Sequence, residues 1–333
     1  MTDFVPHPLL KNSHLMTILP TLFPRAGGKN HLTGGQSHFL EVEDGSSVLV
    51  HVHLQDDHQD SPTLLIVHGL EGSAESSHVL GLGRKAFDKG MNVVRMNLRN
   101  CGGTLHLSKT LYNASMSADV ISVVRQVREL FGIGDVYLAG FSLGGNIVLK
   151  AAGELGDGAV GFLAGVCAIS PSIDLQASVV SLGKGLNRIY EIHFLRGLTD
   201  KIRRKSLLFP ERFDVGKLKL VKTIKDFDNL YTAPDGGFGT ADNYYARASS
   251  INFINKIRVP TLVITAKDDP IVPFESFLSD KLKSPFVTLL VTETGGHGGF
   301  LGNREEGSGA GTTDAFWAEH RVVSFCLSNK KSG

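Results

Sequence analysis

Short apolar runs alternate with longer amphipathic stretches along most of this 333-residue chain. Brief runs rich in β-branched residues predict buried strands, and apolar residues spaced three or four apart predict helices. The predicted strands of this kind are Thr63–Val67, Asn92–Met96, Val136–Ala139, Gly161–Ile169, Thr261–Thr265 and Phe286–Val291. The helices predicted between and after them are Ser76–Lys89, Ser115–Phe131, a helix following Ser142, and Thr313–Leu327. This alternation favours a mostly parallel sheet with helices on both faces.

The first part of the chain departs from that alternation. Two runs with strict apolar and polar alternation, His38–Glu43 and Ser47–Leu54, are separated by Asp44-Gly45, which is typical of a hairpin turn. We expect them to form an antiparallel edge of the sheet. Residues 1–35 show no clear period, and their four prolines favour an extended N-terminal arm lying over the body.

Residues 170–260 interrupt the strands with helical patterns, among them Leu175–Ile192 and Thr199–Leu208. An insertion of this length between two strands is too long for a plain loop, so we expect a helical cap over the strand ends within a single domain. The basic run Lys201–Lys205 lies in this segment, and we expect it to be a solvated helix face rather than a nucleic-acid patch.

A Gly-x-Ser-x-Gly sequence, Gly140–Gly144, follows the predicted strand Val136–Ala139 and precedes a helical pattern. This strand-turn-helix context is the one in which a nucleophilic serine is held at the tip of a strained turn. Glycines two residues to either side of Ser142 remove side chains that would collide with the crossing backbone. The alternative is an ordinary serine in a tight turn.

Partners for Ser142 are expected at the carboxyl ends of later strands, where reacting groups gather in open α/β sheets. Asp268-Asp269-Pro270 and the glycine-flanked His297 occupy such positions, in the order serine, acid, histidine. We predict that His297 is the general base and that Asp269 orients it. Asp268 is the alternative acid, and Asp174, which follows an earlier strand, is a further one.

Two backbone N–H groups are candidates for an oxyanion hole. Leu143 is predicted to begin the helix after Ser142, so its N–H lies at the positive helix end without an intrahelical acceptor. Leu70, in the loop His68–Ser73 after another strand, is the second candidate. We expect His68 to brace this loop, and Cys101 to pack a neighbouring loop rather than act as a reactive thiol.

Composition narrows the functional classes. Lys and Arg number 34 and Asp and Glu 33, which gives no electrostatic case for nucleic acid or an anionic membrane. Three scattered cysteines favour neither a disulfide framework nor a zinc site, so we expect a reducing, cytoplasmic setting. The N-terminus fits neither a signal peptide nor a transmembrane segment. No metal or organic cofactor is expected.

Several stretches together resemble the AB hydrolase-4 family, the YheT-like branch of the α/β-hydrolases. They span nearly the whole chain: Lys11–Leu15, His68–Ser73, Gly140–Asn146, Tyr244-Tyr245, Asp268–Pro270, Gly295–Phe300 and Trp317–Glu319. Asn100 departs from the family pattern, which has glycine there, but asparagine tolerates left-handed dihedral angles. The membrane helix that many relatives carry before the arm is not seen in this sequence.

The resemblance implies an α/β-hydrolase fold and a serine hydrolase with the triad Ser142, Asp269 and His297. It also implies a small-molecule carboxylic ester of short or medium acyl chain as the substrate. Eukaryotic relatives look like lipases or phospholipases, so a lipase, a phospholipase or a thioesterase for longer chains is the alternative enzyme. A non-catalytic binding protein is the alternative from another class, because fold does not determine function. The oligomeric state is not predicted.

Overall fold

A computed structural model describes residues 4–21, 32, 35–302 and 314–330. These residues form one sheet with eight strands. The strands are β1 Gln36–Glu43, β2 Ser46–His53, β3 Thr63–Val67, β4 Asn92–Met96, β5 Val136–Phe141, β6 Gly165–Ile169, β7 Thr261–Ala266 and β8 Val287–Thr292. The order across the sheet is β1-β2-β4-β3-β5-β6-β7-β8.

The pairing of the strands confirms the predicted architecture. Strands β1 and β2 form the antiparallel edge, and β2 also pairs antiparallel to β4. The remaining pairs, from β4 across to β8, are parallel. The predicted start of β6 at Gly161 is wrong, because Gly161 has a φ of 79° and belongs to a turn before the strand. The parallel strands bring their carboxyl ends to one edge of the sheet.

Helices cover both faces of the sheet. They are α1 Ser13–Ile18, α2 Ser77–Asp88, α3 Ser117–Phe131, α4 Leu143–Leu155, α5 Leu175–Leu182, α6 Arg188–Leu208, α7 Ile224–Phe227, α8 Ala233–Asp235, α9 Ala241–Ala248 and α10 Trp317–Ser328. Successive residues of a strand point to opposite faces. Accordingly, Leu65 and Val67 of β3 belong to one buried cluster, and Leu64 and Ile66 belong to the other. Two cores therefore hold the sheet rigid from both sides.

The segment between β6 and β7, residues 170–260, contains α5 to α9 and short 3₁₀ and π turns, and we call it the helical insertion. The predicted single pattern Leu175–Ile192 is interrupted at Gly185, whose φ is 48°. Helix α6 then runs on through the second predicted stretch, Thr199–Leu208. Helix α5 ends at Leu182 with Gly183 as its C-cap, and the positive φ of Gly185 then lets the chain turn before α6.

The basic run Lys201–Lys205 on α6 is not uniformly solvated, so that expectation is wrong in part. Lys205 is fully buried, donates to the carbonyl oxygens of Leu105 and Ser108, and lies 4.4 Å from the centre of the Phe209 ring. Burial lowers the pKa of Lys205 to about 8. This side chain therefore ties the helical insertion to the body of the protein instead of facing water.

The N-terminal arm was expected to be extended, and its described part instead contains helix α1. The Asn12 side chain caps this helix by accepting hydrogen bonds from the N–H groups of His14 and Leu15. A side-chain cap satisfies donors that a helix start leaves open, which explains why a helix of six residues forms here. Most of the predicted arm after Thr21, and much of the glycine-rich loop 295–311, lies outside the described residues.

Candidate active site

Ser142 occupies the turn between β5 and α4 in a strained backbone conformation. Its φ is 52° and its ψ is −116°, a region that L-residues seldom adopt. A Cβ atom added at Gly140 would lie 2.3 Å from the carbonyl oxygen of Gly144. One added at Gly144 would lie 2.4 Å from the carbonyl oxygen of Val67. Both glycines are therefore required by the close crossing of β5, α4 and β3.

The structure brings the three predicted site residues together. The Ser142 Oγ lies 2.9 Å from Nε2 of His297. The other ring nitrogen of His297, Nδ1, lies 2.9 Å from Oδ2 and 3.1 Å from Oδ1 of Asp269. A carboxylate only accepts hydrogen bonds, so Nδ1 carries the proton and Nε2 is free to accept one from Ser142. The Asp269 side chain is fully buried, which protects this arrangement from water.

Backbone donors hold Asp269 in place. The N–H groups of Ile271 and Val272 donate to its Oδ1 over 2.8 and 2.9 Å. These bonds stabilise the carboxylate and fix the direction in which it faces His297. The two donors lie two and three residues after Asp269, so the backbone beyond Pro270 turns back toward the carboxylate.

The two alternative acids are engaged elsewhere. Asp268 accepts a hydrogen bond from the N–H of Gly296 over 2.9 Å, and burial raises the pKa of its carboxyl group. Asp174 caps helix α5 by accepting from the N–H of Ala177 over 3.0 Å. Asp268 therefore anchors the loop that carries His297, and Asp174 stabilises a helix start in the insertion.

Helix α1 of the arm supports the His297 loop, and the sequence reasoning missed this contact. The Thr17 hydroxyl donates to the carbonyl oxygen of Ser13 and accepts from the backbone N–H of His297 over 2.9 Å. A Cβ atom added at Gly299 would lie 1.9 Å from the carbonyl oxygen of Met16. The only sequence signal was the resemblance of Lys11–Leu15 to the family, which indicated that the arm matters without saying what it contacts.

The family described as the α/β hydrolase fold matches residues 62–303 of the chain. The chain belongs to this family. It is 31% identical over 329 residues to the Escherichia coli protein YheT, which is named as an esterase, covering 96% of this chain and 92% of that one. The monoacylglycerol lipase of Saccharomyces cerevisiae is 32% identical over 253 residues, with 73% of this chain and 56% of the yeast protein covered. An esterase of Pyrococcus furiosus has the same fold, with a TM-score of 0.57 and 18% identity over 92% of this chain and 96% of that chain.

In this α/β-hydrolase, the two predicted oxyanion donors flank Ser142. Leu143 is the first residue of α4, so its N–H has no acceptor within the helix. The loop bearing Leu70 passes close to Ser142, because a Cβ atom added at Gly69 would lie 3.3 Å from the Ser142 Cβ. Leu70 and Ser142 also line the same cavities.

His68 braces the loop His68–Ser73, as predicted from its place at a strand end. The Leu98 N–H donates to its Nε2 over 3.1 Å, and its Nδ1 donates to the Gly69 carbonyl oxygen over 2.7 Å. Complete burial lowers the pKa of His68 to about 4, so the ring is neutral at physiological pH. Both ring nitrogens are used in these contacts, which leaves His68 no role as a base for Ser142.

A second set of contacts, from Tyr112 and from the helical insertion, fixes the loop His68–Ser73. Glu71 has a φ of 54°, its N–H donates to the Tyr112 hydroxyl over 2.9 Å, and that hydroxyl donates to Oε1 of Glu71 over 2.7 Å. The ammonium group of Lys201 on α6 lies 2.7 Å from the same Oε1. Both members of this ion pair are largely buried. The sequence offered no signal for this contact, since 130 residues separate the pair.

The neighbouring loop after β4 follows the expectations for it. Asn100 adopts a φ of 62°, the left-handed conformation that asparagine tolerates. Cys101 is buried, and burial raises the pKa of its thiol to about 11. A thiol that stays protonated is a poor nucleophile, so Cys101 packs this loop.

Two cavities meet at Ser142. The apolar cavity lies against the helical insertion, has a volume of about 90 Å³, and includes Leu143 in its lining. The histidine-side cavity has a volume of about 490 Å³, is bounded by the arm and the first turns of α6, and includes His297. Ser142, Leu70, Phe194 and Ile271 line both cavities, so the Ser142 side chain lies where the two meet.

Within the described part of the chain, no three His, Cys, Asp or Glu side chains are arranged to hold a metal ion. The same residues contain no helix with the length and apolar character needed to cross a membrane.

Proposed function

We propose that this α/β-hydrolase cleaves small carboxylic esters through an acyl-enzyme on Ser142. The observation that carries the proposal is the continuous chain of hydrogen bonds from Ser142 through His297 to the buried Asp269. A serine hydroxyl is nearly unreactive at neutral pH, and it needs such a base to accept its proton. The esterase and lipase names of the relatives support a hydrolase of ester bonds.

The first half of the reaction forms the acyl-enzyme. Oγ of Ser142 attacks the ester carbonyl carbon while His297 Nε2 takes the hydroxyl proton, and Asp269 stabilises the resulting imidazolium. The negative oxygen of the tetrahedral intermediate is held by the N–H groups of Leu70 and Leu143. The carbon–oxygen bond to the alcohol then breaks, and His297 passes its proton to the departing oxygen.

The second half releases the acid. A water molecule gives its proton to His297 and attacks the acyl carbon, and the same two N–H groups hold the second oxyanion. The bond between the acyl carbon and Ser142 breaks, and the proton returns to Oγ. One ester and one water yield one acid and one alcohol, and the protein is unchanged.

Hydrolysis of p-nitrophenyl butyrate by the wild type and Ser142→Ala tests the proposal. We expect the variant to lose at least about 10³-fold in kcat/KM, because the nucleophile is absent. Its far-UV circular dichroism and melting temperature should match the wild type. Undiminished turnover by the variant would end the assignment of Ser142.

The competing possibility is a non-catalytic binding protein on the same fold. A fluorophosphonate probe reacts only with an activated serine, so labelling of the wild type and not of Ser142→Ala supports an enzyme. Absence of labelling in the folded wild type supports the binding protein. A lipase or thioesterase is distinguished by comparing esters and thioesters of increasing acyl length.

A further inference from the structure

Charge is unevenly distributed along this nearly neutral chain. Residues 203–222 contain seven of the 34 Lys and Arg residues but only two of the 33 Asp and Glu residues. This stretch of the helical insertion therefore has a formal charge of +5, whereas the rest of the chain has −4. The overall balance, which gave no electrostatic case for an anionic partner, conceals a strongly basic surface.

Four of these seven cations are both exposed and unpaired. Lys205 and Arg212 differ, because the first is buried and the second pairs with Asp235 over 2.6 Å. The exposed cations that form no ion pair with any described residue are Arg203, Lys217, Lys219 and Lys222. Their charges therefore remain available to a negatively charged partner.

Exposed leucines lie beside the cations at the end of α6. Lys205 is buried against the body, whereas Leu207 and Leu208 are 84% and 48% exposed. Residues three and four positions apart share a helix face, so Leu207 lies beside Arg203 and Arg204. The last turns of α6 therefore present guanidinium groups and apolar side chains together.

The same combination recurs in the 3₁₀ helix Val215–Leu220, which packs against α6. Residues three apart lie on one face of a 3₁₀ helix. Leu218 and Val221 pack against the core, whereas Leu220, on the face of Lys217, is 55% exposed. We call the exposed side chains of the two helices and of Lys222 the basic–leucine surface: Arg203, Arg204, Leu207, Leu208, Val215, Lys217, Lys219, Leu220 and Lys222.

We propose that the basic–leucine surface docks the protein on an anionic lipid bilayer. Ammonium and guanidinium groups attract negative headgroups, and each Lys or Arg near such a surface improves binding about fivefold. Exposed aliphatic side chains can enter the boundary between headgroups and acyl chains, which removes their unfavourable exposure to water. The charged and the aliphatic groups are neighbours, so both act on the same bilayer.

The apolar part of the surface favours lipid over nucleic acid. Sites for single-stranded nucleic acid combine a basic groove with aromatic side chains on which the bases stack. The two aromatic residues of this segment, Phe209 and Phe213, are half-buried and buried, and their ring centres lie 4.4 and 5.4 Å from the Lys205 ammonium group. The large apolar side chains that are exposed here are leucine and valine, which suit acyl chains.

Docking at this surface would bring one wall of the apolar cavity close to the bilayer. The chain enters residues 203–222 from Leu198 and Lys201 and leaves them toward Ile224 and Phe227, and all four residues line that cavity. The proposal goes beyond hydrolysis at Ser142 and does not depend on it, because binding to vesicles is measured without a substrate.

Flotation of the full chain with phospholipid vesicles tests the proposal. Vesicles of phosphatidylcholine alone are compared with vesicles that also contain about 30% phosphatidylserine. In about 0.1 M NaCl we expect the anionic vesicles to bind the protein at least about tenfold more tightly. Most of this preference should disappear in about 1 M NaCl, where the Debye length falls to about 3 Å.

Two variants separate the charged contribution from the aliphatic one. Lys217→Gln/Lys219→Gln/Lys222→Gln should weaken binding to the anionic vesicles about 100-fold, because three cations are removed. Leu207→Gln/Leu220→Gln should weaken it at least about tenfold and leave its salt dependence in place. All five positions are exposed, so the melting temperature and the turnover of p-nitrophenyl butyrate should match the wild type.

Matched controls make the same changes at exposed positions outside residues 203–222. They are Lys89→Gln/Lys256→Gln/Lys283→Gln and Leu130→Gln/Leu278→Gln, and both should bind vesicles almost as the wild type does.

Equal binding of the wild type to both kinds of vesicle overturns the proposal. Variants of the basic–leucine surface that bind as tightly as their matched controls overturn it as well. Binding to a DNA oligonucleotide is measured in parallel. If the lysine variant loses tight DNA binding while the leucine variant binds both DNA and vesicles normally, the surface belongs to nucleic acid and the proposal is wrong.

Discussion

Backbone strain in this α/β-hydrolase is concentrated at the edge of the sheet where the candidate site lies. Among the described residues, the non-glycine positions with positive φ are Glu71, Asn100, Ser142, Ser170 and Phe300. Each follows the carboxyl end of a strand, namely β3, β4, β5, β6 and β8 respectively. Such conformations cost about 1–3 kcal/mol each and persist only where the surrounding structure enforces them. The strain supports the site because it places side chains and N–H groups where relaxed turns would not.

Two adjacent carboxylates at this edge have different partners, and this difference leads to a prediction. Asp269 faces Nδ1 of His297, so Asp269→Asn should favour the wrong tautomer and lower kcat about 10³- to 10⁴-fold. Asp268→Asn keeps an oxygen that can accept a hydrogen bond from the Gly296 N–H, so its kcat should fall by less than about tenfold. Steady-state kinetics with p-nitrophenyl butyrate checks both, and the opposite ranking would move the role of the acid to Asp268.

At the scale of elements, the site depends on a contact between helix α1 and the loop after β8. Thr17 on the arm accepts from the N–H of His297, and the loop glycines Gly296 and Gly298 have φ values of 57° and 69°. Glycines make this loop adaptable, so an external support is needed to keep the imidazole near Ser142. The Ser170 hydroxyl provides a second support by accepting from the N–H of Gly298.

Removing the Thr17 hydroxyl should therefore reduce catalysis without reducing substrate affinity in proportion. Thr17→Val leaves the His297 N–H without its acceptor, which should raise the activation free energy by about 1–2 kcal/mol and lower kcat about five- to thirtyfold. Thr17→Ser restores a hydroxyl and is the control, expected to recover most of the activity. Equal losses in both variants, or a change confined to KM, would contradict a positioning role.

At the scale of the whole molecule, the helical insertion and the body are joined beside the loop His68–Ser73. Lys201 of α6 pairs with Glu71, the residue after the candidate donor Leu70, and lies 4.3 Å from the centre of the Tyr112 ring. Lys205, one helical turn later, anchors the same helix to backbone carbonyl groups of residues 105 and 108. The insertion thus contacts the loop that carries Leu70 as well as lining the apolar cavity.

Breaking this connection should affect stability and catalysis together. Lys201→Met leaves the buried Glu71 carboxylate without its cation, and the loss of one partner of a buried pair costs about 3 kcal/mol. We expect a lower melting temperature and a kcat about tenfold lower on p-nitrophenyl acetate, whose small acyl group minimises contact with the cavity that Lys201 also lines. Adding Glu71→Gln should recover part of the stability by removing the isolated charge. If Lys201→Met alone leaves both the melting temperature and kcat unchanged, the proposed link between this ion pair and the site is contradicted.

Much of the architecture follows from local pattern. The apolar run Thr63–Val67 and the alternating run Ser47–Leu54 predicted their strands closely, because a strand buried on both faces and one half-exposed have different periods. The pattern was less informative in the insertion and the arm. Gly185 interrupts a continuous helical pattern, and α1 forms although four prolines favoured an extended chain. Both outcomes depend on the geometry of turns and helix caps, which the spacing of apolar residues does not predict.

The sequence by itself determined the order of strands and helices, the strained turn at Ser142 and the glycines that it requires, because these depend on residues close in the chain. It also placed Asp269 and His297 after strand ends, as the structure shows. Only the tertiary structure decided which of two adjacent carboxylates faces His297, and that Thr17 and Lys201 support the site. These contacts join segments far apart in the chain, so their partners are set by the packing of the whole fold and not by local spacing.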